Sequence, residues 1–569
     1  MHDELYANIH DQRKPSYLKG AAILAAAWGF VRIIGALYKI PLFQDGVLGD
    51  EGTGDFHVTY SVYSLILTIS TAGIPTALSR LVSSANAEGN EILKKRLFSV
   101  AMHAFLLIGA AMMLVMFFFA DTFASLMSNS MAALGIRVLS PAVFFVCIIS
   151  VYRGYAQGHE NMIPTAVSQI IEVTSKAAFG IAFALWLVSM GYQSHIISAG
   201  AIVGVTIGLG LCVPVLMWYK KRLDRNKGVK MESKTGDGSP SETLDGSLHV
   251  FDSSGAMPSR IDILGKIMKV SIPITLSASF MAVIAVIVNS IVLRRLQLAL
   301  ELSEAEARGF LGVFTRALTI HNLPPSLFVP VSISIIPAIA AAIARKRNEE
   351  ASIIMQSSIK LVNLLAMPAS AGIMLLATPI LIALYDDSRQ LTSDILIILG
   401  AASLFVCLQF VTTAILQANG HERVALMTFP AGAVLRIILS YILAGNPQFG
   451  IMAMPIGTLV CFVVITVLNI IFIKIKIKDG PKFSGVFIKP LMCTAVMAAV
   501  VFFLYRLLYW FGSGFIGTGR TAVTIYLCAA IIIGITVYGV LIIATRTVTM
   551  EDMKLVPRGE KLARILHIS

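Results

Sequence analysis

Charged residues are scarce in this sequence. Asp, Glu, Lys and Arg make up 14% of its 569 residues, whereas hydrophobic residues make up 56%. Soluble globular chains carry about 25% charged residues. The deficit excludes an ordinary soluble domain of this size and predicts an all-α, polytopic membrane protein.

Enzyme motifs are absent as well. The chain contains no GxxxxGK[ST], HExxH or GxSxG sequence, so it is not expected to be an enzyme and no cofactor is predicted. Its six cysteines lie in apolar runs without a CxxC pair, which indicates small core residues rather than disulfides or a metal site. The net charge of +13 does not imply nucleic acid, because basic residues of membrane proteins collect in cytoplasmic loops.

Acidic residues are almost absent from the stretches that are apolar enough to cross a membrane. Those stretches contain one carboxylate, Glu172, and eleven basic residues. The basic residues are Arg32, Lys39, Arg80, Arg137, Lys176, Arg294, Arg295, Arg316, Lys360, Arg436 and Arg506. A charge in hydrocarbon costs about 2.5–3.5 kcal/mol on insertion scales, so a chain that keeps many charges of one sign is expected to use them. The positive sign predicts an anionic cargo.

Fourteen hydrophobic stretches are long enough to span a membrane, since a crossing needs about 20 residues. The predicted spans are 20–43, 56–85, 97–119, 131–152, 161–189, 195–219, 270–297, 310–344, 352–380, 395–418, 424–445, 450–473, 490–510 and 521–545. Alternate connections are rich in Lys and Arg, whereas the other set contains only Arg308, Arg389 and Arg520. Basic loops stay in the cytoplasm, so both termini are predicted to be cytoplasmic.

The chain divides at a polar insert, 220–265, which predicts a flexible cytoplasmic linker. The two sides of the insert share features at nearly one offset: Gly158 and Gly420 lie 262 positions apart, as do His159 and His421, and the sequence FVC at 145–147 recurs 260 positions later at 405–407. Six spans separate the copies, so both face the same way and form a parallel pseudo-two-fold repeat around a cavity. We predict an N-terminal lobe of six helices (1–219), a C-terminal lobe of six helices (266–475), and two further helices with a basic tail (476–569).

Seven polar residues within the spans are candidates for binding an anion. They are Arg32, Arg80, Lys176, Asn289, Arg316, Lys360 and Arg436. The alternative for each cation is that its long side chain snorkels to the membrane surface, and the alternative for Asn289 is a hydrogen bond to a neighbouring helix. Lys176 and Arg436 lie 260 positions apart at related points of the two repeats, which favours one shared cavity.

Two features are candidates for coupling or gating. Glu172 and Lys176 are spaced i, i+4 in span five, so they form either a mutually neutralising pair or an ion-sensitive gate. The second feature, in span eight, comprises His321, Asn322, Pro324 and Pro325. Consecutive prolines break a helix and free backbone carbonyls, which predicts a hinge or gate, with a plain kink as the alternative.

Several motifs occur in an informative order. They are FVRIIGALYKIPL and GDEGTGDF around span one, TAGIPTALSRLV in span two, RGYAQGHENMIPTAVSQIIEV across spans four and five, and LPPSLFVPVSISIIPAIA in span eight. On these motifs the chain resembles the multidrug/oligosaccharidyl-lipid/polysaccharide (MOP) exporter superfamily, in particular the stage V sporulation protein B-like group, which is related to the lipid II flippase. The resemblance implies a multi-pass transporter of the bacterial plasma membrane that moves a polyprenyl-diphosphate-linked saccharide by alternating access. It also places Arg32 at a first-span arginine of the family, and Asn289 where the peptidoglycan branch often carries an acid.

A flippase for such a lipid, with lipid II as the expected cargo, is the leading hypothesis. The expected partners are the anionic lipid-linked saccharide, membrane lipids and cell-wall synthesis proteins, with a monomer and no nucleic acid. Na⁺ and H⁺ are the candidate coupling ions. Two alternatives stay open. One is a cation-coupled multidrug exporter of the same superfamily, for which only Glu172 supplies a carboxylate within the spans, and the other is a non-transporting cell-wall scaffold.

Overall fold

A computed structural model describes residues 27–71, 73–231, 258–477, 480–481, 484–514 and 517–547. These residues form helices and contain no strand, which confirms the all-α class. The helices are α1 (27–37), α2 (Lys39–Leu42), α3 (Gly49–Thr71), α4 (Ile74–Ala87), α5 (Glu91–Phe118), α6 (Ala120–Leu126), α7 (Ala132–Gly158), α8 (Ile163–Ser189), α9 (Ser194–Met231), α10 (Arg260–Ala299), α11 (Glu304–His321), α12 (Leu323–Ala344), α13 (Asn348–Leu375), α14 (Ala377–Tyr385), α15 (Gln390–Ala418), α16 (Glu422–Ala444), α17 (Ala453–Lys476), α18 (Ser484–Gly512) and α19 (Arg520–Ala544).

Twelve of the predicted spans have a counterpart among the described helices that are long and apolar enough to cross a membrane. The first predicted span, 20–43, starts outside the described residues. The eighth, 310–344, is divided between α11 and α12 at Asn322. Fourteen is therefore an approximate count, and the chain is a multi-pass membrane protein.

The chain folds as two compact units. Unit 1 comprises Met1–Tyr38 and Asp55–Val286, and unit 2 comprises Lys39–Gly54 and Ile287–Ser569. The segment Lys39–Gly54, called the strap below, belongs to unit 2 although the residues on both sides of it belong to unit 1. Helix occupies both ends of the predicted linker, because α9 continues to Met231 and α10 begins at Arg260, and 232–257 lies outside the described residues. The lobe boundaries taken from the sequence stay a prediction.

In unit 1, α7 is the central helix. It packs against α4, α5 and α9, and α8 packs on α9. The apolar core between α4, α5 and α7 includes Leu78, Leu97 and Val151. Ile263 and Ile267 from the beginning of α10 are buried in the same core. The segment that follows the linker therefore completes the core of the first unit.

Unit 2 repeats this arrangement of helices. α15 packs against α12, α13 and α17, and α16 packs on α17. Each of these pairs corresponds in chain order to a pair of unit 1, which is the pattern expected of parallel repeats. α18 and α19 pack against each other, α18 packs on α13 and α19 packs on α14, so these two helices form the predicted C-terminal addition.

The strap is fixed to unit 2 at a close helix crossing. The first turn of α3 crosses α11 where glycines face backbone. A Cβ at Gly312 would lie 1.9 Å from the carbonyl oxygen of Asp50, and a Cβ at Gly54 would lie 2.2 Å from the carbonyl oxygen of Arg308. Both distances are far shorter than real Cβ contacts, so only glycine fits at these two positions. The crossing brings the acids of the strap to the arginines of α11.

Candidate functional site

Lys176 lies on α8 in unit 1 and is held by two tyrosines. Its Nζ donates a hydrogen bond to the Tyr60 hydroxyl at 3.1 Å. The same ammonium lies 4.6 Å from the ring centre of Tyr60 and 5.0 Å from that of Tyr38. A cation over an aromatic face gains about 0.5–2 kcal/mol, with the larger value where water is excluded. The tyrosines therefore keep a charged lysine in place without neutralising it.

Glu172, one turn before Lys176 on α8, pairs with Arg153 of α7. Arg153 Nη2 donates to Glu172 Oε2 at 3.0 Å, and Arg153 Nε donates to Ser168 Oγ at 2.9 Å. The described residues contain no ion pair between Glu172 and Lys176, so the mutually neutralising pair considered from the i, i+4 spacing does not form in this structure. Two cations and one carboxylate leave this group of residues with an excess positive charge.

The corresponding positions of unit 2 lie 260 residues later. Arg436 on α16 corresponds to Lys176, whereas Gly432 corresponds to Glu172. A Cβ at Gly432 would lie 2.8 Å from the carbonyl oxygen of Cys461, so a carboxylate side chain does not fit there. The buried Nε of Arg436 has no hydrogen-bond partner among the described residues. The second unit therefore carries a guanidinium without a described carboxylate partner at the position equivalent to Lys176.

Neutral residues in unit 2 replace the contact between Arg153 and Ser168. Thr428, which corresponds to Ser168, donates to Asn469 Oδ1 at 2.9 Å. Asn469 Nδ2 in turn donates at 3.1 Å to Thr413 Oγ1, the residue that corresponds to Arg153. These buried hydrogen bonds join α15, α16 and α17, as polar side chains do between membrane helices.

Span eight is interrupted near its proline pair. α11 ends at His321 and α12 begins two residues later, with Pro324 and Pro325 in its first turn, where a missing N–H leaves no helical bond unmade. His321 is 3% exposed, and its Nδ1 donates to the carbonyl oxygen of Leu399 at 2.7 Å. The helix break and a packed histidine are observed, and the gating role of this segment with Asn322 stays a prediction.

Arg316 of α11 lies in an ionic cluster of unit 2 that we call the strap cluster. Its fully buried side chain contacts Asp50 at 3.0 Å, Asp387 at 3.4 Å and also Asp45. Arg389 bonds Asp387 through Nε at 2.9 Å and through Nη2 at 2.6 Å, and it bonds Asp50 as well. In this structure the guanidinium of Arg316 is therefore occupied by protein carboxylates, and its contact with a substrate stays a prediction.

The strap cluster is charged near neutral pH. Burial raises the pKa of the Asp387 carboxyl, but hydrogen bonds from Arg389 and Thr392 outweigh burial, so the net pKa lies below its ordinary value. Hydrogen bonds to Asp387 and then to Asp50 raise the pKa of the Arg389 guanidinium. The Thr392 hydroxyl contributes through a hydrogen bond of 2.9 Å to Asp387 Oδ2.

The other predicted binding residues differ in how far they are buried. They are Arg32 on α1 and Arg80 on α4, which are exposed, Lys360 on α13, which is partly buried, and Asn289 on α10, which is 4% exposed. Gly35, one turn after Arg32, faces α8: a Cβ there would lie 3.7 Å from Val173. α1 is thus packed against the helix that carries Lys176.

Sequence reasoning did not identify Arg153, Ser168, Tyr38 or Tyr60 as site residues. The prediction ends span four at residue 152, which puts Arg153 in a connection, whereas α7 continues to Gly158. Tyrosines in apolar helices carry no signal of their own, because they usually pack in the core. Only the fold shows that two of them enclose one lysine.

Known proteins are similar to this chain in sequence. A family model described as polysaccharide biosynthesis protein matches residues 17–235, and a model named MatE matches residues 310–442. Three proteins of Bacillus subtilis (strain 168) are similar along most of their length. The uncharacterized membrane protein YabM is 25% identical over 551 residues, 96% of each chain. Stage V sporulation protein B is 24% identical over 477 residues, 82% of this chain and 86% of its own. Lipid II flippase MurJ is 24% identical over 535 residues, 90% of this chain and 93% of its own.

Solved structures have the same fold. Lipid II flippase MurJ in an inward closed conformation matches with a TM-score of 0.64 at 16% identity, over 91% of this chain and 98% of that chain. An inward-facing multidrug resistance MATE family transporter of the MOP superfamily matches with a TM-score of 0.58 at 17% identity, over 83% of this chain and 98% of that chain. Structural likeness at these identities establishes the fold, and the family models and sequence relatives establish the relationship. The chain is thus related in sequence to polysaccharide biosynthesis and MatE proteins over the matched residues, and to lipid II flippase MurJ over most of its length.

Proposed function

We propose that this protein is a flippase that moves a polyprenyl-diphosphate-linked saccharide, with lipid II as its expected cargo, from the inner to the outer leaflet of the bacterial plasma membrane. The observation that carries the proposal is the pair of cations at equivalent repeat positions. Lys176 is enclosed by aromatic rings, and Arg436 has no carboxylate partner in the described part of the chain. Because no carboxylate in the described part of the chain forms an ion pair with either residue, an anion is the ligand that these residues suit.

A diphosphate matches the chemistry of this set. A guanidinium presents a planar fork of N–H donors to phosphate oxygens, and an ammonium acts as a compact charge. An inside-negative potential favours outward movement of negative charge by about 2.3 kcal/mol per charge per 100 mV. We infer that this potential drives transport, with both termini in the cytoplasm and with Na⁺ or H⁺ as the candidate additional ion.

An apolar cavity of about 620 Å³ in unit 2 supports a lipid as the cargo. It is lined by α13, α14, α18 and α19, almost wholly through hydrophobic side chains and glycines such as Gly372 and Gly534. Tyr538 also lines it, but its hydroxyl is satisfied by the carbonyl oxygen of Leu364 at 2.9 Å. Walls of this kind accept hydrocarbon, so we assign the cavity to the prenyl chain.

The test is the exposure of lipid II in the outer leaflet of bacteria depleted of their own lipid II flippase. The protein is expected to restore exposure, and Lys176→Met and Arg436→Met are each expected to reduce its rate by about tenfold or more, because a desolvated charge contact is lost. Arg506→Met is the control, since Arg506 is exposed on α18 and its guanidinium carbon lies 4.8 Å from the ring centre of Phe502. A well-expressed wild-type protein that restores no exposure would refute the proposal.

A cation-coupled multidrug exporter is the second candidate, favoured by the match of the MatE model to residues 310–442. Cationic drugs need carboxylates in the pathway. Glu172, the carboxylate within the predicted spans, is already paired with Arg153 at 3.0 Å. Ethidium efflux that depends on this protein and is lost in Glu172→Gln would favour the exporter over the flippase.

A further inference from the structure

The Arg153 guanidinium makes two hydrogen bonds, one to Ser168 and one to Glu172, and the bond to Ser168 is the more firmly placed. Its Nε donates to Ser168 Oγ, and the buried Ser168 hydroxyl donates its own proton to the carbonyl oxygen of Thr165 at 3.0 Å. The Ser168 oxygen therefore accepts the Arg153 hydrogen bond, which orients the guanidinium. The second contact, to Glu172, joins an arginine side chain that is 16% exposed to a carboxylate side chain that is 34% exposed. The carboxylate is the more accessible partner and the one that can leave.

The repeat shows that the fold does not require this ion pair. In unit 2 the positions of Arg153 and Glu172 are occupied by Thr413 and Gly432, and neutral hydrogen bonds join the corresponding helices. Charged residues between membrane helices are expensive, and a buried ion pair adds little stability over apolar packing. Fastening α7 to α8 is therefore not a sufficient reason for a charged pair in unit 1.

We propose that the Glu172 carboxylate competes with the anion for Arg153. Glu172 binds Arg153 in the empty protein, and a diphosphate displaces Glu172 from it. The inference rests on the proposed function and adds Arg153 as an anion-binding residue. Carboxylate and phosphate oxygens accept hydrogen bonds from the same guanidinium donors, so the exchange keeps the bond count of Arg153. Lys176 lies one turn beyond Glu172 on α8, so a single carboxylate adjoins two cations.

The net charge of this group of residues decides whether removing Glu172 strengthens or weakens anion binding. Arg153, Lys176 and Glu172 together carry one positive charge, and without the carboxylate they carry two. Among the described residues, the groups that contact Lys176 from outside α8 are Tyr38 and Tyr60, which are neutral and do not replace the lost negative charge. Removing the carboxylate therefore strengthens anion binding and slows anion release. In the wild type Glu172 limits the affinity so that the cargo leaves.

The experiment measures binding of inorganic pyrophosphate to the purified full-length protein in lipid nanodiscs by calorimetry. Glu172→Gln is expected to bind pyrophosphate about fivefold or more tightly than the wild type, which is the lower end of the usual coupling between two sites. The gain is expected to disappear in the double variant Arg153→Met with Glu172→Gln. In cells, Glu172→Gln is expected to expose lipid II more slowly than the wild type despite its tighter binding.

Glu172→Asp is the second variant and keeps the negative charge. Its shorter side chain loosens the contact with Arg153, so a smaller gain in pyrophosphate affinity is expected. Unchanged affinity in Glu172→Gln or, where that variant does not fold, in Glu172→Asp would overturn the inference, as would a gain that persists without Arg153. Failure of the proposed function is distinct: the wild type would expose no lipid II, whereas the pyrophosphate pattern would still report an anion site for another cargo.

Discussion

Arg389 and Asp50 lie 339 positions apart in the sequence, and two guanidinium nitrogens of Arg389 bond the two carboxylate oxygens of Asp50. Asp50 also contacts Arg316 at 3.0 Å, so one carboxylate of the strap receives two arginines. Paired hydrogen bonds of this kind fix geometry as well as adding energy. The strap is thus fastened to unit 2 by its charges in addition to the glycine crossing.

Arg316→Met tests the buried part of the strap cluster. Arg316 is fully buried against three carboxylates, and breaking a buried ion pair costs about 3–5 kcal/mol. A loss of this size is expected in the free energy of unfolding, measured with denaturant in detergent micelles. Asp45→Asn is the control: Asp45 is 69% exposed, so its loss should cost at most about 1 kcal/mol. Equal losses in the two variants would contradict the assignment.

The pH dependence of the cluster follows from Asp387. Its folded-state pKa lies below the ordinary value, so its stabilising contribution is present above about pH 4 and is lost as the pH falls through the lowered pKa. The difference in free energy of unfolding between the wild type and Asp387→Asn is expected to be constant between about pH 5 and 8 and to shrink below about pH 4. A difference that already disappears at pH 6 would show that Asp387 is not held in its ionised form.

Gly312→Ala tests the helix crossing. The added Cβ would lie 1.9 Å from the carbonyl oxygen of Asp50, which is backbone and cannot rotate away, so α3 and α11 have to separate. Gly309→Ala is a matched control on α11, where the Cβ would lie 3.8 Å from Asp50 Cβ in ordinary contact. Alanine favours a helix over glycine by about 0.5–1 kcal/mol. Thermal unfolding should therefore occur at a lower temperature in Gly312→Ala and at an unchanged or higher one in Gly309→Ala.

Two substitutions of Tyr60 test its hydrogen bond and its ring contact with Lys176 separately. Tyr60→Phe removes the hydrogen bond of 3.1 Å and keeps the ring at 4.6 Å from the ammonium, whereas Tyr60→Leu removes both. Each interaction contributes about 0.5–2 kcal/mol. The rate of lipid II exposure is expected to fall in both variants, and further in Tyr60→Leu. A Tyr60→Phe protein as impaired as Tyr60→Leu would show that the aromatic face contributes nothing.

The hydrogen bonds that join Thr428, Asn469 and Thr413 in unit 2 are expected to stabilise the folded protein. Thr428→Val leaves the buried Asn469 Oδ1 without the hydrogen bond of 2.9 Å that Thr428 donates, at a cost of about 1–3 kcal/mol. Thr458→Val is the control, because the Thr458 hydroxyl bonds the carbonyl oxygen of Met454 within its own helix. Unfolding of the two variants in micelles should show a clear loss only for Thr428→Val.

Most of the fold was predictable because a bilayer demands long apolar segments in which the backbone satisfies itself. Twelve helices that meet this demand are present among the described residues. The repeat was indicated by FVC at 145–147 and 405–407, and their offset of 260 also relates Lys176 to Arg436. The interruption of span eight was harder to predict, because the apolar run from 310 to 344 continues through the point where α11 ends and α12 begins. Hydropathy does not report that one helix ends at His321 and another begins beside it.

The partners of the charged residues were not predictable, because sequence spacing describes one helix at a time. The i, i+4 spacing of Glu172 and Lys176 allows a pair that contributes about 0.3–0.5 kcal/mol. An arginine of α7 that Ser168 already orients is a better partner, and it takes the carboxylate. In the same way the depth of Arg316 in span eight indicated a cation in the pathway, whereas its partner Asp45 comes from 271 positions away.

The strap limits how this duplicated protein can be divided. Two polypeptides cut at 232–257 would leave Asp45 and Asp50 on the first and Arg316 and Arg389 on the second. The second polypeptide would then fold with arginines that lack two of their counter-charges until the first one arrives. A chimaera of two relatives therefore has to take the strap and the second half from the same relative. The unit that can be exchanged is larger than the half that the repeat suggests.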